Sequence, residues 1–137
     1  MKSASLALQK LRRVGLKITP QRMAILEILE GNTSHPSANM LYADVKKKFP
    51  MISFATVYKT LKVLEEVGEI QCLTIADNKV HFDPNTELHH HFLCRQCGRI
   101  MDVAPGMDSL LCDLEGHVVE KYQIYYYGIC SKCHNLH

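Results

Sequence analysis

The chain has 137 residues, of which 47% are hydrophobic and 22% are charged, so it can form one ordinary domain or two very small ones. No stretch is apolar for long enough to cross a membrane, and the N-terminus lacks the apolar segment of a secretion signal. These absences predict a cytoplasmic protein with reduced thiols and no membrane partner. Small halves bury little surface, so a structural metal or a second copy of the chain would add stability.

The formal net charge of +2 conceals an uneven distribution. Residues 1–68 contain eleven Lys and Arg against five Asp and Glu, whereas residues 69–137 contain five against nine. A basic first half can approach phosphate, and an acidic, histidine-rich second half can hold cations. The pattern of predicted elements breaks at Asp83-Pro84, so we predict two domains, residues 1–83 and 84–137.

Four helices are predicted in the first half from the spacing of apolar residues. The first covers residues 3–14 and ends at Gly15. Each of the other three begins after a hydroxyl side chain that can cap a helix and ends at a glycine or a proline. These start and stop residues are Thr19 and Gly31, Ser37 and Pro50, and Ser53 and Gly68.

The fourth helix is predicted to turn a polar and aromatic face outward. Its apolar stripe is followed by two strands, near residues 70–75 and 80–82, around a turn rich in Asp and Asn. A helix with hydroxyl, aromatic and cationic groups outward, followed by a hairpin, is typical of a winged helix-turn-helix. The alternative is an ordinary helical bundle with solvated lysines. The outward residues are Thr56, Tyr58, Lys59 and Lys62.

Two Cys-x-x-Cys pairs lie in the second half, Cys94 with Cys97 and Cys130 with Cys133. Two such pairs can place four thiolates around one ion in the closed tetrahedral arrangement of structural zinc. Gly98 suits the sharp turn after the first pair. A disulfide pair or a redox Cys-x-x-Cys is the alternative, but neither a secretion signal nor a βαβ pattern accompanies these cysteines.

Three consecutive histidines, His89, His90 and His91, precede the first cysteine pair. In a strand, His89 and His91 share one side, about 6–7 Å apart, and His90 points to the other. If zinc takes the four thiolates, the two imidazoles remain for a second metal ion. The alternative is a surface triplet without a metal.

The rest of the second half predicts a small α/β unit. After the histidines come a strand at 99–103, a helix at about 106–115 and an aromatic strand near 123–128. Such a small unit with an apolar sheet would bury surface against a second copy, which predicts a homodimer. The whole chain is therefore predicted to be α+β, with a winged helix-turn-helix domain and a small dimerisation domain that carries the four-cysteine zinc site.

Four segments together resemble the ferric uptake regulator family of metal-dependent repressors: residues 16–22, 55–58, 89–98 and 130–133. The resemblance implies that the winged helix binds double-stranded DNA and that the second domain dimerises. Protein symmetry would then be mirrored in a palindromic operator. By the same resemblance, Tyr58 approaches bases while basic side chains contact phosphate or the minor groove. The residues assigned to DNA are Tyr58, Thr56, Lys59, Lys62, Lys17 and Arg22.

The resemblance also implies a regulatory metal bound by residues of both domains. Imidazole and carboxylate ligands without a thiolate suit Fe²⁺ or Mn²⁺. Because one ligand comes from the DNA-binding half, the ion would fix the angle between the domains and switch DNA binding. The implied ligands are His35, Asp83, His89, His91 and Asp102.

An aspartate at position 102 resembles the peroxide-sensing branch of the family, because iron-uptake regulators typically carry glutamate there. In that branch, iron-catalysed oxidation of a ligating histidine, His35 or His89 here, would release the metal and lift repression. The alternative is an uptake regulator that senses the metal itself, iron before zinc, manganese or nickel. A small hydrolase is disfavoured because catalytic zinc has three protein ligands and an open position, whereas this set has five ligands, and no nucleophile motif is present. A zinc-ribbon interaction module leaves the outward face of the fourth helix unexplained.

Overall fold

The computed structural model describes residues 1–106 and 114–135. Two compact units make up the chain, Met1–Thr86 and Glu87–His137. The first contains four helices and a hairpin, and the described part of the second contains three strands and a short helix. None of the described helices combines the length and the apolar character that a membrane crossing needs.

The helices of the first unit follow the predicted positions, and each begins after a hydroxyl side chain. At each start this side chain accepts a hydrogen bond from the backbone N–H three residues further on. Such a cap contributes about 0.5–2 kcal/mol, because it satisfies an N–H that has no partner within the helix. The helices are α1 (Ala4–Arg13), α2 (Pro20–Leu29), α3 (Ala38–Lys48) and α4 (Phe54–Glu66).

The inner faces of these helices form one hydrophobic core. Leu11, Ile25 and Leu41, from α1, α2 and α3, are fully buried, as is Leu61 of α4. Within each helix, the buried apolar residues recur at helical spacing. One apolar stripe on each helix is therefore enough to build the core. The core holds the outward face of α4 at the surface of the first unit.

A two-stranded hairpin follows α4, as the wing prediction required. Strands β1 (Gln71–Ala76) and β2 (Lys79–Asp83) are antiparallel, with a register shift near the turn. Phe82 of β2 packs into the helical core, and its N–H donates to the carbonyl of Pro36 at 2.9 Å. The hairpin is thereby tied to the start of α3, which places Asp83 close to the loop before that helix.

The second unit contains a three-stranded sheet. Its strands are β3 (His90–Cys94), β4 (Ile100–Val103) and β5 (Tyr125–Gly128), with β3 in the centre, antiparallel to β4 and parallel to β5. A short helix, α5 (Ser131–Asn135), follows. The predicted helix at 106–115 falls mainly on residues 107–113, which lie outside the described residues.

The turn between β3 and β4 depends on a glycine. Gly98 has φ +77°, in the left-handed region, and its N–H donates to the carbonyl of Cys94 at 2.9 Å. A side chain in this conformation costs roughly 1–2 kcal/mol, which glycine avoids. The turn brings Cys97 back toward Cys94, as the spacing predicted.

Candidate functional site

The four cysteine sulfurs lie together at one end of the sheet in the second unit. Every sulfur lies within 4.8 Å of the other three, and the Sγ atoms of Cys97 and Cys130 are 3.9 Å apart. Four thiolates at about 2.3 Å from a zinc ion would be about 3.8 Å from one another, so the spacing fits zinc. The 3.9 Å separation is well beyond the roughly 2.05 Å of a disulfide bond, and the described cysteines are all unpaired thiols.

Backbone N–H groups prepare these sulfurs for a metal. The Sγ of Cys94 accepts from the N–H of Cys97 at 3.4 Å and from the N–H of Cys130 at 3.3 Å. These hydrogen bonds lower the pKa of the Cys94 thiol to about 6. Hydrogen bonding to Cys130, together with burial, raises the pKa of Cys133 to about 12, so a metal must displace its proton.

His89, His91 and Asp102 form a second cluster in the second unit. The Nε2 atoms of His89 and His91 lie 3.3 and 3.4 Å from the same carboxylate oxygen of Asp102. Their ring centroids are 4.5 Å apart, so the two imidazoles share one side, as strand alternation predicted. Asp102 is the cross-strand partner of His91 on β4, which explains why the carboxylate meets both rings.

Hydrogen bonds behind the rings orient the ligand nitrogens. The Nδ1 of His89 lies 2.7 Å from the carbonyl oxygen of Glu87, which can only accept, so Nδ1 donates and Nε2 is the nitrogen turned toward Asp102. The Nδ1 of His91 lies 3.1 Å from the side-chain amide nitrogen of Gln123, and the oxygen of that amide accepts from the hydroxyl of Tyr125 at 3.0 Å. In this orientation the amide nitrogen donates to Nδ1. The amide turned by about 180° would accept from Nδ1–H instead and leave the lone pair of Nε2 for a metal.

In the first unit, His35 and Asp83 form a buried pair. His35 Nε2 lies 3.5 Å from Asp83 Oδ2, and each residue is only 2% exposed. The other carboxylate oxygen of Asp83 accepts from the N–H of Asn85 at 2.9 Å. His35 has φ 54°, an uncommon backbone conformation that occurs preferentially at ligand sites. An imidazole and a carboxylate are thus held together without a thiolate.

His90 has a structural role that the sequence did not indicate. The residue is 1% exposed, and its Nδ1 accepts a hydrogen bond from the N–H of Ile124 at 3.1 Å. Its ring lies 5.7 Å from that of Tyr122. His90 therefore ties β3 to the segment that leads into β5. Its partner Ile124 is 34 residues away in the chain. Gln123, 32 residues from His91, was concealed in the sequence for the same reason.

The predicted DNA-contacting residues of α4 differ in how they are presented. Tyr58 is 47% exposed, and Lys59 is also exposed. Lys62 is exposed but lies 3.6 Å from Glu65, a surface pair of little strength. The hydroxyl of Thr56 is 3.0 Å from that of Ser53, so it already serves the start of the helix. Tyr58 and Lys59 are therefore the side chains best presented to a partner.

The connection between α1 and α2 carries the other two predicted DNA residues. Lys17 is exposed there, and its carbonyl accepts from Nη1 of Arg22 at 2.6 Å. This bond anchors the connection to the first turn of α2. Arg22 thus positions the backbone that presents Lys17.

Comparison with known proteins agrees with this architecture. A sequence model of the ferric uptake regulator family matches residues 13–127. The chain is 40% identical over 131 residues to the peroxide operon regulator of Bacillus subtilis (strain 168), spanning 93% of this chain and 90% of that protein.

Solved structures show the same likeness in three dimensions. The Campylobacter jejuni peroxide stress regulator has a TM-score of 0.67 and 34% identity, covering 92% of this chain and 98% of that one. The Helicobacter pylori ferric uptake regulator has a TM-score of 0.81 over 96% of this chain and 94% of that one, and at 20% identity it supports the fold alone. With its winged helix-turn-helix, its four-cysteine cluster and these relatives, the chain belongs to the ferric uptake regulator family.

Proposed function

We propose that the chain is a metal-dependent, DNA-binding transcriptional repressor that responds to peroxide. Its relatives include proteins named as a peroxide operon regulator and a peroxide stress regulator. The observation that carries the proposal is the cluster of His89, His91 and Asp102, in which two imidazole nitrogens face one carboxylate oxygen. This arrangement offers oxygen and nitrogen ligands and suits Fe²⁺ or Mn²⁺.

One regulatory ion is proposed to take ligands from both units, so that its loss uncouples them. The second unit would contribute His89, His91 and Asp102, and the first would contribute His35 and Asp83. The four cysteines would hold a separate, structural zinc ion. The buried His35–Asp83 pair of the first unit supports this proposal, because an imidazole and a carboxylate held together have suitable ligand chemistry.

The peroxide response is proposed to act through histidine oxidation. When bound, Fe²⁺ would catalyse the transfer of one oxygen atom from hydrogen peroxide to the ring of His35 or His89. Peroxide is the two-electron oxidant of the imidazole, and its second oxygen would leave as water. An imidazole altered in this way is a poorer ligand. The carbonyl of Glu87 holds the ring of His89 at the site, which keeps it in reach of the oxidant. Loss of one ligand would release the ion and end repression.

DNA binding is proposed to use α4 in the major groove of a palindromic operator, read by a homodimer. Tyr58 would contact bases, with Thr56, Lys59 and Lys62 beside it. Lys17, on the connection that Arg22 anchors, would contact phosphate or the minor groove. The second unit would supply the dimer interface.

The experiment compares operator binding by Fe²⁺-loaded and Mn²⁺-loaded protein before and after dilute hydrogen peroxide. We expect binding to be lost only with iron, and the peptides that contain His35 or His89 to gain the mass of one oxygen atom. The peptide containing the exposed His117 is the internal control and should be unchanged. Unchanged binding with unmodified histidines would contradict peroxide sensing and favour the metal-sensing alternative.

A further inference from the structure

Phe54, the first residue of α4, has an aromatic ring at the surface of the first unit. The residue is 40% exposed, which is unusual for a large apolar side chain. Its ring stacks on that of Tyr58, with centroids 6.1 Å apart and planes inclined by 26°. Residues four apart lie on the same face of a helix, so Phe54 belongs to the outward face that carries Tyr58.

A third ring holds Phe54 from the neighbouring helix. Tyr42 of α3 meets Phe54 edge-on, with centroids 5.7 Å apart and planes at 89°. The Nζ of Lys46 lies 5.2 Å from the centre of the Tyr42 ring, in cation–π range. Tyr42, Phe54 and Tyr58 therefore form an aromatic ladder that links both helices of the helix-turn-helix. Each contact of this kind restricts the rings, so their positions are set before a partner arrives.

The exposure of Phe54 and Tyr58 indicates a partner rather than a packing role. Tyr58 is 47% exposed, whereas Tyr42 is partly buried against the hydrophobic core and supports the other two rings. Two exposed cations accompany these rings, Lys46 over the ring of Tyr42 and Lys59 next to Tyr58 in the chain. An apolar surface with positive charge beside it matches duplex DNA. The cations would face the phosphates, and the rings would face the groove, where only a few groups are apolar.

In the major groove, the apolar group on a base edge is the 5-methyl group of thymine. Residues at the N-terminal end of a recognition helix are the ones that reach base edges. Phe54 occupies the first position of α4, and its phenyl ring has no hydrogen-bonding atom. Thymine methyl groups are therefore the feature of DNA that this side chain is equipped to recognise.

We propose that Phe54 is a specificity-determining residue that packs its ring against thymine 5-methyl groups in the operator, with Tyr58 extending the same apolar surface. This inference rests on the proposed DNA-binding function. Tyr42 acts as a positioning residue, because it fixes the Phe54 ring without itself lying on α4. Through the ladder, thymine at particular operator positions becomes part of the sequence that the repressor recognises.

The test begins with the Mn²⁺-loaded full chain and a pool of randomised duplexes, from which the preferred operator is selected. Each thymine of that operator is then replaced in turn by uracil, which lacks only the methyl group. Binding is measured by fluorescence anisotropy. For wild type, we expect about a fourfold loss at one or two positions, the effect of withdrawing one methyl-sized group from apolar contact. In Phe54→Ala the same replacements should have no effect.

Two further variants make the result specific. Phe54→Leu keeps an apolar side chain but removes the stacked ring, so it should retain part of the binding loss caused by uracil. This variant tests the site even if Phe54→Ala folds poorly. Leu6→Ala removes a side chain of similar exposure (48%) from α1 and should keep the full wild-type profile.

An identical uracil profile in wild type, Phe54→Ala and Phe54→Leu would overturn the inference while leaving operator binding intact. Failure of the wild type to enrich any duplex would overturn the proposed function, and this inference with it. The two failures are therefore distinguishable.

Discussion

The two units of this chain are stabilised by different means. The first has a core of fifteen buried hydrophobic residues, supplied by four helices, the hairpin and the segments that connect them. In the described part of the second unit, the buried cluster consists of three cysteines, with Phe92 and Met101 packed against it. The comparison shows that the first unit has an apolar core of its own, whereas the buried cluster in the described part of the second consists of cysteines that could hold a metal ion.

This difference follows from the size of each unit and from what each must do. A unit of about 50 residues buries too little apolar surface for an ordinary core, and a structural metal is a common remedy. Buried cysteines pack as small hydrophobic residues and, once deprotonated, bind metal. The same unit also holds a separate polar cluster, in which His89 and His91 lie 3.3 and 3.4 Å from Asp102.

The largest difference between the two units is expected when a proposed zinc ligand is removed. We expect Cys94→Ser to lose zinc and to unfold the second unit, because apparent zinc-binding free energies of about 10–16 kcal/mol exceed what so small a unit can otherwise supply. Hydrogen exchange by mass spectrometry and metal analysis would measure this, with protection retained in α2 and α4. Cys72→Ser, in the hairpin, is the matched control and should keep its zinc. A zinc-free variant with a protected β3 would contradict the structural role.

The converse experiment is a substitution in the hydrophobic core of the first unit. Leu61→Ala removes a fully buried side chain from α4 and should lower the free energy of unfolding by about 2–5 kcal/mol. Chemical denaturation would show the loss, while zinc content and exchange protection at β3 should stay as in wild type. Lys59→Ala, on the exposed face of the same helix, should change stability little. Loss of zinc in the Leu61 variant would show that the units do not fold separately.

A smaller effect is expected from a side chain that contacts a proposed ligand without being one. Gln123→Ala removes the amide behind Nδ1 of His91 and should weaken Mn²⁺ binding about 10- to 100-fold, the usual effect of losing such support. Isothermal titration of Mn²⁺ would measure it, with zinc content unchanged. Gln9→Ala on α1 serves as the control. Wild-type Mn²⁺ affinity in the Gln123 variant would show that His91 needs no support from this amide.

The first unit was largely predictable because its signals are local. Hydroxyl caps such as Thr19 and Ser53, stop residues such as Gly68 and apolar stripes at helical spacing all act within a few residues, and the helices begin and end close to where these signals lie. The wing was predictable for the same reason, since its turn residues lie between two short strands. The core followed from the stripes because buried faces of amphipathic helices have few other places to pack.

In the second unit, residue types and short spacings indicate which side chains could bind metal. How those side chains are arranged depends on the tertiary structure. Two Cys-x-x-Cys pairs and the alternation of His89 and His91 identified which residues could bind metal, because chelation depends on residue type and short spacing. The parallel pairing of β5 with β3, the bond from Ile124 to His90 and the contact of Gln123 with His91 join residues more than thirty positions apart. In the described residues of the second unit, these contacts come from the folded sheet, so only the tertiary structure determines which side chains stand behind the proposed ligands.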